Sequence, residues 1–349
     1  MPTDGVALIT GGAGFIGTNL ADRLLSQGRP VRIYDSLARH GTERNLRWLR
    51  ARHGARLQSV WADIRDPHTL RQAMADVTMV FHFAAQVAVT TSLDEPADDF
   101  SVNAAGTLNL LEILRQHGGA GLVFTSTNKV YGALADIPLR VEPTRYAPMD
   151  GAAASGISET RPLSFHSPYG CSKGAADQYV LDYARSFGLD AAVFRMSCIY
   201  GPHQHGTEDQ GWVAHFLIRA IEDGPIAIFG DGRQVRDLLY VEDLVAALLR
   251  AEECRRAIRG EAFNIGGGPG NTLSLIELID EIAGLRGTRP RVRHDEWRVA
   301  DQRWFVSDCG KFATATGWRP TIGVAEGVTR LYDWLAAERR RPAQLQAAE

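Results

Sequence analysis

Short apolar or β-branched runs alternate with longer segments of helical periodicity through roughly the first two hundred residues. The short runs predict strands over Val6 to Thr10, Val31 to Asp35, Leu57 to Trp61, Met79 to Phe83, Leu122 to Ser126 and Ala191 to Met196. Their nearly unbroken apolar character suits strands covered on both faces, as in a parallel sheet. Between them, Phe15 to Gln27, Pro67 to Ala75, Phe100 to Gln116 and Ser172 to Phe187 show the spacing of amphipathic helices. The alternation predicts a doubly wound α/β fold.

The rhythm breaks over Val141 to His166, where prolines and glycines punctuate a stretch that reads as a long loop. Beyond Tyr200 the elements become short and Gly/Pro-punctuated, so residues 201–349 are expected to form a smaller, mainly substrate-binding domain over residues 1–200. Segments near 235–250 and 262–266 are expected to return to the first domain. From Glu338 onward the chain reads as a solvated, frayed end.

Composition narrows the field by exclusion. The hydrophobic share of 45% and charged share of 23% are those of an ordinary globular protein. A net charge of −3, with no Lys/Arg stripe, offers no field for a nucleic-acid backbone. Cys171, Cys198, Cys254 and Cys309 are widely spaced and form no C-x-x-C pair, so reduced thiols are expected rather than a metal site or a disulfide framework. The first residues carry no basic, apolar and cleavable leader, and no apolar run is long enough to span a bilayer. A cytoplasmic chain, off the membrane and without a metal, is the expectation.

The first strand runs into Gly11-Gly12-Ala13-Gly14-Phe15-Ile16-Gly17, a G-x-x-G-x-x-G turn that opens a helix. Glycines there allow a tight turn and close approach of a pyrophosphate to the helix N-terminus. Asp35 ends the second strand about 20 residues on, where an acid accepts the ribose 2′-hydroxyl. Its charge favours NAD over NADP, with Arg39 nearby pulling the other way. This combination predicts a dinucleotide-binding Rossmann domain. Asp63-Ile64 and Phe83-Ala84-Ala85 follow the third and fourth strands, at the sheet end where such folds bind ligands. Asp63 is a candidate for the adenine, its bland alternative being a helix cap before Pro67.

Tyr169 and Lys173 stand in a Y-x-x-x-K spacing, which puts both on one face of a helix. The ammonium is expected to lower the tyrosine pKa and favour a phenolate that takes a hydroxyl proton as hydride leaves carbon. Thr127, at the end of the preceding strand, completes a candidate catalytic set.

With these residues in place, the chain resembles the extended short-chain dehydrogenase/reductases that act on nucleotide sugars, over nearly its full length. The resemblance implies that Thr127 bonds the reacting hydroxyl, Tyr169 is the acid/base, and Lys173 binds the nicotinamide ribose. It also implies that Asn103 supports the cofactor's surroundings, and that the protein is a homo-oligomer. Dehydratases and decarboxylases of the family need acids just after the threonine, where this chain has Asn128 and Lys129. The longer strings Phe83 to Ser92, Ser126 to Gly132, Phe165 to Tyr179 and Asp209 to Val213 resemble the 2-epimerase branch acting on CDP-linked sugars of the paratose and tyvelose type. That branch implies oxidation at C2, rotation of the 2-keto sugar and return of hydride. A 4-epimerase would use the same residues with another sugar pose, and a non-catalytic NAD-binding protein would not require Tyr169 and Lys173. For the nucleotide-sugar substrate, Ala227 and Phe229 resemble the segment that holds the base, and Arg236 and Arg298 the diphosphate ligands. Gln86, His166, Gln210 and Trp212 are candidates around the sugar.

Overall fold

The computed structural model describes residues 5–149, 151, 155–298 and 301–340. The strands are β1 (Val6–Thr10), β2 (Val31–Asp35), β3 (Leu57–Trp61), β4 (Val77–His82), β5 (Gly121–Thr127), β6 (Leu139–Val141), β7 (Tyr146–Pro148), β8 (Ala191–Met196), β9 (Cys198–Tyr200), β10 (Ile226–Phe229), β11 (Val235–Tyr240), β12 (Ala262–Ile265), β13 (Thr272–Ser274), β14 (Val292–Asp295) and β15 (Trp304–Phe305). The helices are α1 (Phe15–Ser26), α2 (Thr42–His53), α3 (Pro67–Gln72), α4 (Val89–Asp94), α5 (Pro96–Phe100), α6 (Gly106–His117), α7 (Ser167–Phe187), α8 (Trp212–Ile221), α9 (Val241–Glu253), α10 (Leu275–Arg286), α11 (Gly310–Thr316) and α12 (Val324–Arg340).

The apolar runs build a seven-stranded sheet in the order β12-β8-β5-β4-β1-β2-β3, every pair parallel. Successive side chains of a strand point to opposite faces. Ala7 and Ile9 therefore enter a core with Leu20, Leu24, Leu244 and Leu248, while Leu8 packs with Leu110, Leu114 and Val180 on the other side. The fold is the Rossmann α/β type, and its strand order reverses at β1, which pairs with both β2 and β4. In this architecture ligands bind beyond the strand C-termini at such a reversal.

A smaller layer stands over that end of the sheet. Its core joins Val213 and Leu217 of α8, Leu278 and Ile282 of α10 and Leu331 of α12 to Tyr200, Ile226 and Leu238. Here β10 pairs with β14, and β11 with β9, β13 and β15. Asp243, buried at the start of α9, accepts hydrogen bonds from the Thr321 and Ile322 amides at 3.0 and 2.9 Å and fixes the approach to α12.

Several local expectations shift. Helix α2 escapes the pattern reading because its apolar stripe is only Leu46, Trp48 and Leu49 among arginines. The single helix expected over Phe100 to Gln116 is instead α5, a π-helical turn at Ser101–Ala105, and α6. The turn carries Asn103 inward, and Thr107 Oγ1 donates to the Asn103 carbonyl at 2.6 Å. Helix α7 starts at Ser167 rather than Ser172, with Pro168 in the first turn where its missing N–H costs nothing. At the start of the expected long loop, β7 turns back to pair with β6, which leads into it; residues 150 and 152–154 of that stretch lie outside the described residues. Glu338 belongs to α12, which continues to Arg340 rather than fraying, and residues 341–349 lie outside the described residues.

Between α7 and β8, the Arg195 guanidinium donates two bonds of 2.9 Å to Asp177, with both side chains buried. Removing one partner strands a buried charge, whereas an apolar pair does not. Asp177→Ala is expected to lose about 3–5 kcal/mol of stability in chemical denaturation. The Asp177→Leu/Arg195→Met double variant should recover most of that; equal loss in both would show that the charge is not what matters.

Candidate active site

The reversal in strand order brings two chain segments into contact. Gly11 has φ +66°, and a Cβ added there would meet the Ala84 amide nitrogen at 2.7 Å. At Gly17 a Cβ would lie 2.5 Å from the Gly12 Cα, so the turn and α1 close tightly on each other. Gly14 is different: a Cβ there would touch only the Gly11 carbonyl, at 3.1 Å, and no side chain caps α1 behind it. The first-turn amides of a helix have no internal acceptors, so this end is a ready anion cradle.

Asp35 faces the same turn. Its carboxylate accepts from the Ala13 and Leu37 amides at 2.9 and 2.8 Å. Burial pushes its pKa upward, partly offset by these amides and by Arg39. Beside the turn, a cavity of about 220 Å³ is lined by Phe15, Ile16, Phe83, Ala85, Ser126, Thr127, Tyr169 and Lys173. Ser126 Oγ is buried there without a hydrogen-bond partner among the described residues. An uncapped helix start, a carboxylate beside it and an orphan hydroxyl at the far end fit a dinucleotide laid from Asp35 toward Tyr169.

Tyr169, in the first turn of α7, lines this cavity with Thr127, whose hydroxyl acts to lower the phenol's pKa, and Lys173 follows one turn later. The expected charge effect of the lysine on the tyrosine is not what governs this pair. Burial pushes Tyr169 up to about 12, and the charges acting on it are Asp99 and Arg39. Burial likewise pulls Lys173 down to about 7, against Asp177 and Asp99. The lysine Nζ lies 4.2 Å from the centre of the Phe124 ring, so its charge meets an aromatic face rather than the phenol. Desolvation outweighs the coupling because Lys173 is buried and Tyr169 is half-buried in the cavity wall.

Asn103 sits behind this pair. Its amide donates to the Gln86 carbonyl at 3.0 Å and to Ser172 Oγ and Asp99 at 3.1 Å each, and accepts from the Gln86 amide at 2.9 Å. With its polar atoms so engaged, Asn103 braces the chain around the cavity.

A larger cavity of about 540 Å³ adjoins the first. Gln210, Gly211, Trp212 and Cys198 line both. The larger one adds Ala227, Phe229, Arg236 and Arg298 as expected, together with Asn128, Lys129, Trp297 and Asp301. The Arg298 guanidinium lies 3.9 Å over the Phe229 ring and 3.3 Å from Asp209. The segment bearing Gln210 crosses between the cavities. Asn19 and Asn45 hold the Pro202 and His203 carbonyls at 2.9 and 3.2 Å, Arg39 donates to Gln210, and Arg298 donates to the Glu208 carbonyl at 3.0 Å.

Some expected residues are not brought in. The Gln86 amide turns back onto Ala88, donating to its carbonyl at 2.8 Å, and lines neither cavity. His166 is exposed at the N-cap of α7 and lines neither. Asp63 is engaged by Arg65, with bonds of 2.7 and 2.9 Å that hold its carboxyl below the usual range, and α3 is capped by Asp66 instead. The Ile64 side chain is buried in the core against Gly106. Among the described residues no group of His, Cys, Asp and Glu is arranged to hold a metal ion, and no helix is long and apolar enough to cross a membrane.

Comparison with known proteins agrees with this geometry. Residues 7–266 match the family model described as the NAD dependent epimerase/dehydratase family. The chain belongs to that family. A CDP-paratose 2-epimerase of Salmonella typhi is 44% identical over 338 residues, spanning 95% of this chain and 99% of the relative. A UDP-glucose 4-epimerase of Thermotoga maritima, solved with UDP-glucose, superposes with a TM-score of 0.81 at 31% identity, covering 96% of this chain and all of that one. A UDP-glucose 4-epimerase of Thermus thermophilus, solved with NAD, gives 0.79 at 32%, covering 97% and 100%. As a member of the NAD dependent epimerase/dehydratase family the chain is an NAD-dependent enzyme, in keeping with Asp35 beside the glycine turn.

Pattern reading misses Cys198, Asp301, Trp297 and the role of residues 202–209, because no local spacing announces a wall assembled from distant segments. Asn128 and Lys129 enter that reading only as missing acids.

The depressed Lys173 makes stability depend on pH. The folded chain releases this proton near pH 7, while the unfolded chain keeps it to the ordinary lysine value, so between them the unfolded state binds more protons and stability rises with pH. Relative to Lys173→Met, the parent chain should therefore be least stable below about pH 7, and the gap in melting temperature should close toward about pH 10. A gap that does not vary with pH would contradict the burial of an ionisable amine.

Proposed function

We propose that this chain is a nucleotide-sugar 2-epimerase that takes a CDP-linked sugar, oxidises it at C2 and returns hydride to the opposite face. The observation that carries this reading is the convergence of Thr127, Tyr169 and Lys173 on the wall of one cavity, which adjoins a second lined by Lys129, Arg236, Arg298 and aromatic side chains. The 2-epimerase relative at 44% identity supports C2 and the CDP carrier over the 4-epimerases at 31–32%.

In this reading Gly11, Gly14, Phe15, Ile16 and Gly17 cradle the pyrophosphate, Asp35 accepts the ribose hydroxyls, and Phe83 to Ala85 border the nicotinamide side. Asp63 and Ile64 are left to backbone contacts near the adenine. NAD, when bound, supplies a positively charged hydride acceptor that favours a phenolate and gives the hydride back. Tyr169 Oη takes the C2 hydroxyl proton and later restores it, Thr127 Oγ1 holds the reacting oxygen, and Lys173 binds the nicotinamide ribose. Gln210 and Trp212 border the sugar, Ala227 and Phe229 the base, and Arg236 and Arg298 the diphosphate, since guanidinium forks suit phosphate oxygens. With Asn128 and Lys129 after the threonine, those two positions carry no acid to assist loss of water. Residues 1–200, with 241–250 and 262–266, form the dinucleotide domain, and the remainder after 200 forms the substrate domain; of the segment near 235–250 expected to return to the first domain, β11 instead stays with the smaller layer through its pairing with β13 and β15. The enzyme works in the cytoplasm as a homo-oligomer; exposed Phe100 and Tyr179 on the neighbouring α5 and α7 offer an apolar face for a second copy.

The test is to incubate the protein with CDP-, GDP-, UDP- and dTDP-sugars in deuterated water and follow the sugar protons by NMR. Inversion at C2 of the CDP-sugar without solvent deuterium at that carbon is expected, and Tyr169→Phe should lower turnover by about 10²–10⁴-fold while keeping NAD. Inversion at C4 would replace this reading with a 4-epimerase; solvent label at the inverted carbon would replace hydride return with deprotonation.

A further inference from the structure

Lys129 has no part in the mechanism above, yet it occupies a pivotal place. It lies in the 3-10 turn Asn128–Tyr131 directly after β5, and its amide donates to Thr127 Oγ1 at 3.2 Å. Its side chain lines the larger cavity but not the smaller one. The Nζ lies 4.0 Å from Asp301 Oδ1, the same oxygen that receives the Arg236 guanidinium at 2.7 Å. Two cations thus share one carboxylate, whose other oxygen is approached by Gln234 at 3.4 Å. Arg298, farther along the wall, is matched by Glu208 and Asp209 at 3.8 and 3.3 Å. The lining also carries Glu296, so the cavity as a whole is not positive; the local excess of positive charge lies at Lys129 and Arg236, two cations on the single Asp301, next to the threonine of the catalytic set.

The chemistry of a nucleotide sugar gives that position a meaning. The sugar-side phosphate is separated from C2 by only C1 and the bridging oxygen. When C2 is presented to Tyr169, that phosphate must lie beside the catalytic residues; when C4 is presented, the sugar ring stands between them. We propose that Lys129, together with Arg236, binds the sugar-side phosphate and so selects the pose that presents C2. Its role is positioning and specificity, and the pose part of the proposal rests on the 2-epimerase reading.

The surroundings agree. Arg236 from β11, Asp301 and Cys198 from β9 are the charged or titratable groups acting on Lys129. Burial, then Arg236, pulls the amine down to about 8, a penalty that an anion between the two cations would relieve.

The test compares a nucleoside diphosphate with its monophosphate on the NAD-loaded protein. CDP and CMP, with UDP and UMP in parallel, are titrated by calorimetry into the parent, Lys129→Met and Lys129→Arg. A charged hydrogen bond of the usual strength predicts that Lys129→Met weakens the diphosphate about 10- to 100-fold while changing the monophosphate by less than about 2-fold. Lys129→Arg should keep most of the diphosphate affinity. In turnover, Lys129→Met should lower kcat as well as raise KM, because the sugar loses its pose. Equal loss of diphosphate and monophosphate, no loss of either, or a parent that binds the diphosphate no more tightly than the monophosphate would each overturn the assignment. Inversion at C4 by the parent would instead sink the 2-epimerase reading, while the diphosphate-to-monophosphate contrast still reports the phosphate contact.

Discussion

The site depends on one steric constraint, the near contact of two backbones at the C-terminal ends of β1 and β4. Gly11 lies so close to Phe83 and Ala84 that a single added carbon would collide with the Ala84 amide. The approach is pinned by a buried chain of hydrogen bonds. His82 pairs with Thr10 at 2.6 Å and Thr107 at 3.1 Å, and Thr107 in turn reaches the Asn103 carbonyl. Burial keeps the imidazole neutral, down to about 3, so the link does not switch with pH over the working range. Because Asn103 then braces Gln86 and Ser172, the register of β1 against β4 is transmitted to α7 and its tyrosine.

From this constraint follows the electrostatic character of the site. Lys173 is buried and Tyr169 and Lys129 are half-buried in cavity walls, and each is displaced in the direction that disfavours its charge. Elsewhere the fold keeps buried charges matched, as Arg195 with Asp177 and Arg29 with Glu252 at 2.5 Å. Unmatched charge gathers at the two cavities, although Asp237, buried elsewhere and held by Ser197 and the Gly268 amide, is also raised by its burial. Charged ligands, a dinucleotide cation on one side and a diphosphate on the other, are what such a mismatch is suited to receive.

The sequence made legible whatever is encoded locally. Val6–Thr10, Val31–Asp35, Leu57–Trp61 and Ala191–Met196 stand as read: β1 and β8 are buried almost throughout and so nearly all apolar, while β2 and the edge strand β3 still show through their buried β-branched and apolar positions. The glycine turn and the Tyr169–Lys173 spacing were equally plain, since each is a short-range backbone demand. Helix α2 was not legible, its burial resting on three apolar residues among arginines. Nor was the π-helical turn at Asn103, which is imposed by packing against α7. The wall of the larger cavity was half legible: Phe229, Arg236 and Trp212 line it, but Asp301 and Cys198 join it only through the pairing of β11 with β9 and β15. Gln86 and His166 failed for the opposite reason, since polarity near a motif says nothing of where a side chain turns.

The segment that lines both cavities, tied to α1 and α2 on one side and to Arg298 on the other, borders the place where the proposed reading brings sugar and cofactor together. The central claim is that hydride leaves and returns at C2 within this enclosure. The most direct measurement uses the CDP-linked sugar carrying deuterium at C2. The account predicts a primary isotope effect on turnover and product that keeps its deuterium at the inverted C2; an effect arising only from deuterium at C4, or loss of the C2 label to solvent, would contradict it.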